Sequence, residues 1–109
     1  MDADAPEYAI STRMVYRSAM EALDQALENP DWTAAIEQTG AFEGRPPAVI
    51  LDLDETVLDN SRMQGQLVIN RVGSDNDVKK VWEEWVHKSA ASSVPGALEF
   101  IRYAKSRNV

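Results

Sequence analysis

Two aspartates one residue apart, Asp52 and Asp54, follow directly on the apolar run Ala48-Val49-Ile50-Leu51. Residues i and i+2 of an extended segment point the same way, so both carboxylates start out on one side of the chain. Ligands of open α/β sheets bind at the carboxyl ends of strands. Two close carboxylates repel each other unless a cation lies near, and a hard divalent ion such as Mg²⁺ suits oxygen donors of this kind. An aspartate after a strand also serves as a plain turn or helix cap. A D-x-D metal site of a nucleotide-sugar transferase is a further alternative, but it leaves Thr56 and the tail Asp59-Asn60-Ser61 unaccounted for.

The elements that must position these groups are legible in outline. The run before Asp52 is rich in β-branched residues and preceded by Pro46 and Pro47, so a strand over about 48–53, buried on both faces, is expected. Residues 1–5 are small and acidic and are expected to fray. A helix is expected from about Pro6 to Glu28, with Tyr8, Thr12, Val15, Ala19, Leu23 and Ala26 on one face. Asn29-Pro30 stops it, and a short second helix is expected over 31–38. Residues 60–73 show no decisive period. Ser74 or Asp75 starts a third helix, with Asp77 at capping-box spacing from Ser74 and an apolar stripe of Val78, Val81, Trp82, Trp85 and Val86. Pro95 opens a fourth, with Leu98, Ile101 and Ala104 or Lys105 on one face, and Asn108 is placed to end it in a left-handed conformation. Val109 reads as the first residue of another strand. The chain thus divides into a helical segment, 1–47, and a segment 48–109 built on the strand and the helices after it.

Composition narrows the function classes. In 109 residues, eleven Lys+Arg stand against eighteen Asp+Glu, a net charge of −7, so a nucleic acid polymer is a poor partner. There is no cysteine, which excludes disulfides, thiolate catalysis and zinc–thiolate sites. No apolar run approaches the roughly 20 residues of a membrane span, and residues 1–10 do not read as a signal peptide.

The string Ala48-Val49-Ile50-Leu51-Asp52-Leu53-Asp54-Glu55-Thr56 resembles motif I of the haloacid-dehalogenase-like (HAD) phosphohydrolases. The continuation Val57-Leu58-Asp59-Asn60-Ser61, with Trp82-x-x-Trp85-Val86 and Val94-Pro95-Gly96-Ala97-Leu98-Glu99-Phe100, is similar to the class C acid phosphatases, the family of bacterial lipoprotein e. The resemblance covers about Tyr8 to Val109. It implies the N-terminal part of a HAD-like Rossmannoid α/β domain, mostly helical here with one core strand, and a Mg²⁺-dependent acid phosphomonoesterase. By the resemblance, Asp52 is the nucleophile that becomes an aspartyl-phosphate, and Asp54 is the general acid and base. Mg²⁺ is held at Asp52 and Asp54, and Leu53, Asp54 and Thr56 serve the phosphate. Trp82 stacks the base of a small-molecule phosphomonoester such as a nucleoside monophosphate, Trp85 is structural, and His87 is a solvated helix residue. The resemblance also implies a bacterial protein of the periplasm, the outer membrane or the medium.

Three departures qualify this expectation. Met63 stands where the family commonly carries Tyr, and Val68 to Asn76 reads as an insertion. The family's later motifs, a Thr or Ser, a Lys and a pair of Asp, do not occur up to Val109, so these 109 residues alone are expected to lack turnover. The second function class is therefore a non-catalytic interaction or oligomerisation module that retains motif I. Its strand edges are expected to pair with a second copy.

Overall fold

Helix α1 runs Pro6–Leu27 and begins with proline at its first turn, where the missing N–H costs nothing. The computed structural model describes residues 5–109; the fraying expected of residues 1–5 falls, for 1–4, outside the described residues. After a long irregular stretch come β1 (Leu58–Asp59), α2 (Ser61–Ile69), α3 (Asp75–Lys88), β2 (Ser92–Ser93) and α4 (Ala97–Ser106). The chain is mostly helical, with one small antiparallel sheet in which Leu58 pairs with Ser93 and Asp59 with Ser92. Val94 N–H adds a bond to the Val57 carbonyl at 2.9 Å. The two short strands are thus the two ends of one excursion: the chain leaves the aspartate loop, forms α2 and α3, and returns beside it.

Local signals set the helix ends. Ser74 Oγ accepts the Asp77 N–H at 3.2 Å, and its hydroxyl donates to Asp77 Oδ2 at 2.6 Å, which starts α3 as its spacing predicts. Asn108 adopts φ 63°. Its N–H bonds the Lys105 carbonyl and the Val109 N–H bonds the Ala104 carbonyl, both at 3.1 Å, so α4 closes in a Schellman motif.

The core forms where α1 crosses α4. Tyr16, Val94, Ala97 and Phe100 are buried together, with Ala19, Met20, Leu23 and Leu51 packed against them. The Tyr16 and Phe100 ring centroids are 5.7 Å apart at 39°. Gly96 permits the approach. It has φ 95°, and a Cβ there would meet Arg13 Cα and Tyr16 Cβ at 3.1 Å each. At the far end Tyr103 donates its hydroxyl to Asp24 Oδ2. Arg107 Nε lies 3.1 Å from Asp24 Oδ1 without aiming a hydrogen at it, so this half-exposed pair is Coulombic and contributes about 0.2–1 kcal/mol.

Four expectations are corrected. The strand over 48–53 has no ladder: the described residues supply no neighbour, Ile50 is 95% exposed, and only Leu51 reaches the core. The helix over 31–38 is replaced by single turns. Asn29 Oδ1 and Thr33 Oγ1 capture the Asp31 and Ala35 N–H groups, each at 3.1 Å, and with Ile36 88% exposed no apolar face offsets the cost of nucleation. On α1 the buried residue is Tyr16 while Val15 faces solvent. On α4 Ala104 is buried as expected, but with Ala97 and Phe100, while Leu98 and Ile101 lie outside. In both helices the small residues and the aromatic pair at the crossing decide which stripe faces in.

Candidate active site

The loop 53–58 closes on a single acceptor. The Leu53 carbonyl receives the N–H groups of Thr56, Val57 and Leu58 at 3.4, 2.9 and 2.8 Å, and Glu55 N–H bonds the Leu58 carbonyl at 2.8 Å. Glu55 sits at φ 56°, a left-handed conformation that turns the chain back on itself. Every N–H from Glu55 to Leu58 is therefore spent inside the loop. Those of Leu53 and Asp54 have no intramolecular partner among the described residues.

Side chains then pin the loop from three elements. Asp54 Oδ1 accepts from Asn60 Nδ2 at 2.8 Å, and Asn60 Oδ1 accepts from Trp85 Nε1 on α3 at 2.7 Å. Glu55 Oε1 accepts the Asn60 backbone N–H at 3.1 Å. Tyr16, on α1, donates its hydroxyl to the Thr56 carbonyl. Burial raises the Tyr16 hydroxyl above its usual pKa. The Tyr8 hydroxyl is also raised, first by burial and then by the carboxylates of Asp59 and Glu55.

Asp52, Asp54, Glu55 and Asp59 put four carboxylates in eight residues. Neither ion pair among the described residues, Asp77–Lys80 or Asp24–Arg107, reaches them. Asp52 and Asp54 are exposed and Thr56 is half-buried. No group of three or more His, Cys, Asp or Glu among the described residues is gathered to hold a metal. Two surface recesses, of about 510 and 150 Å³, lie along α3 and between α2 and α3; neither is lined by Asp52 or Asp54. The carboxylates thus lie on an open loop.

The acid phosphatase model of the HAD superfamily, subfamily IIIB, matches residues 2–109. The chain belongs to this family. No solved structure matches it. Within the subfamily IIIB chain, the loop just described is the segment carrying Asp52, Leu53, Asp54 and Thr56. The structure brings Asp54 and Thr56 into one hydrogen-bonded unit with Asn60, Trp85 and Tyr16. It gives Asp52 no hydrogen-bond partner among the described residues. Trp82 is partly buried on α3 and makes no hydrogen bond to the loop; Trp85, one turn on, reaches it through Asn60. Met63, in the place of the family Tyr, is buried in α2 at 5% exposure. His87 is exposed and shares a hydrogen with its own helix, at the Glu83 carbonyl 2.8 Å away. No described helix is long and apolar enough to cross a membrane.

Asn60 and Tyr16 are partners of the loop that reasoning from sequence did not single out, and Trp85, expected to be structural, is tied to the loop through Asn60. Asn60 and Trp85 lie inside quoted motifs, so their types were visible but their pairing across 25 residues was not. Tyr16 carried no local signal, because its partner lies forty residues on.

Proposed function

We propose that this family member is a Mg²⁺-dependent acid phosphomonoesterase of the class C type, working through an aspartyl-phosphate. The observation that carries the reading is the loop itself. Its N–H groups are internally satisfied from Glu55 onward, while those of Leu53 and Asp54 have no partner among the described residues and lie beside two exposed carboxylates. That is the arrangement a phosphoryl group needs: donors for its oxygens, a nucleophile and an acid within two residues.

In this reading an Asp52 oxygen attacks phosphorus and the bond from phosphorus to the leaving oxygen breaks. Asp54 gives its proton to that oxygen, and the alcohol departs. Asp54 then takes a proton from water as the water attacks phosphorus. The Asp52–phosphorus bond breaks, releasing inorganic phosphate and restoring the Asp52 carboxylate and the protonated Asp54. The N–H groups of Leu53 and Asp54 hold phosphoryl oxygens, and Thr56 braces the turn that aims them. The donor chemistry fits Mg²⁺: the Asp52 carboxylate and the Asp54 backbone carbonyl would supply oxygen ligands, of the kind this hard ion prefers. When bound, the ion neutralises charge on the phosphoryl group.

Trp82 offers an aromatic face to the base of a nucleoside monophosphate. The motif resemblance supports a bacterial enzyme working outside the cytoplasm, in the periplasm, on the outer membrane or secreted.

The test is Asp52→Asn in the gene product as expressed from its own coding sequence, assayed on a phosphomonoester with Mg²⁺. The amide cannot attack phosphorus, and kcat is expected to fall at least ~10³-fold, about 4 kcal/mol of barrier. Near-normal kcat in the variant overturns the assignment.

A further inference from the structure

Asn60 is 2% exposed, and its side-chain amide joins two residues on different elements. The amide donates to Asp54 Oδ1 and accepts from Trp85 Nε1. An indole N–H only donates, and an ionised carboxylate only accepts. The amide satisfies both in one orientation alone. Flipped, it would set an N–H₂ against the indole hydrogen and an oxygen against the carboxylate. Trp85 therefore dictates which end of Asn60 meets Asp54.

A second observation agrees. Asn60 occupies the N-cap of α2, where asparagine ordinarily accepts a hydrogen bond from its own helix. Here the side chain makes no capping bond, and Asp59 Oδ1 takes the Ser61 N–H at 2.9 Å instead. Asn60 is thus spent on the bridge rather than on the helix it begins.

We infer that Trp85 is a positioning residue for Asp54, acting through Asn60. The bridge engages Oδ1 and leaves Oδ2 as the oxygen that carries a proton to the leaving group. Trp85 bonds Asn60 and not Asp54 itself. The inference rests on Asp54 being the acid and base of the proposed reaction.

Two measurements test it, on Trp85→Phe, which keeps a ring but loses the donor, and on Asn60→Asp, which keeps an acceptor for Trp85 but loses the donor to Asp54. The first is nuclear magnetic resonance of the 109-residue chain. In the wild type the Asn60 side-chain amide protons are expected to exchange slowly. In Trp85→Phe they exchange at least ~10-fold faster while the core amides of Ala97 and Phe100 stay protected. An unchanged Asn60 amide overturns the inference.

The second is leaving-group dependence in the gene product. A misplaced acid harms an alkyl phosphate, whose leaving oxygen needs the proton, far more than p-nitrophenyl phosphate. For both variants kcat on the alkyl ester is expected to fall ~10²-fold and on the nitrophenyl ester less than ~3-fold, with KM held. Asp54→Asn is the reference. If it shows no such selectivity, the acid–base reading itself fails. If it does and Trp85→Phe lowers both substrates equally, only the positioning inference fails.

Discussion

The hydroxyl of Tyr16 on α1 donates to the carbonyl of Thr56, forty residues away in the aspartate loop. The same ring packs on Phe100 of α4, so one side chain joins the N-terminal helix, the loop and the last helix. Tyr16→Phe keeps the ring and removes the bond. It is expected to cost about 0.5–1.5 kcal/mol, and Tyr16→Ala about 3–5 kcal/mol through the cavity it leaves. Urea unfolding of the 109-residue chain measures both, and equal losses would show that the hydroxyl, not the ring, dominates.

Trp82 and Trp85 are expected to separate functionally. Trp82→Ala removes a stacking face worth about 1–3 kcal/mol, roughly 5- to 150-fold in KM for a nucleoside monophosphate. A small aliphatic phosphate has no base to stack and should be little affected. Equal shifts for the two substrates would make Trp82 a packing residue.

The Tyr103 hydroxyl is held above its usual pKa, chiefly by its hydrogen bond to Asp24 and then by burial. The fold thus favours the protonated form. Its contribution to stability is whole below the unfolded value near ~10 and is lost as pH rises through the higher folded value. Tyr8 and Tyr16 are raised in the same direction. Stability is therefore expected to decline in alkali above about pH 10, and Tyr103→Phe to decline less steeply. Urea midpoints across that range decide it, and identical slopes would show that the bond to Asp24 contributes nothing.

Val49 and Ile50 leave an apolar segment with no strand neighbour among the described residues at the surface, with Ile50 95% exposed. Such a segment is a template for pairing with another chain. The 109-residue chain is expected to gain mass with concentration in light scattering, and Ile50→Lys to return it toward a single-chain mass. A concentration-independent mass of one chain in the wild type would refute the pairing.

Much of the local structure was legible from residues alone. Pro6 at the start of α1, the Ser74–Asp77 cap and the left-handed Asn108 are each satisfied by partners within a few residues, so sequence spacing suffices to find them. The motifs were enough to point to the acid phosphatases of the HAD superfamily, which the model match over residues 2–109 shows. Only the tertiary structure decided which faces turn inward. Val15 and Tyr16 are equally able to lie on an apolar stripe, and the choice falls to Tyr16 because Gly96 lets α4 approach there. Sequence patterning likewise favoured Leu98 and Ile101, yet Phe100 is the residue that meets Tyr16. The run 48–53 has the composition of a strand, but a strand exists only with neighbours to take its N–H and C=O groups, and the described residues supply none. The bridge from Trp85 through Asn60 to Asp54 belongs to the same class. Each residue type was visible, but the donor and acceptor meet only because β1 and β2 bring the two ends of the α2–α3 excursion together.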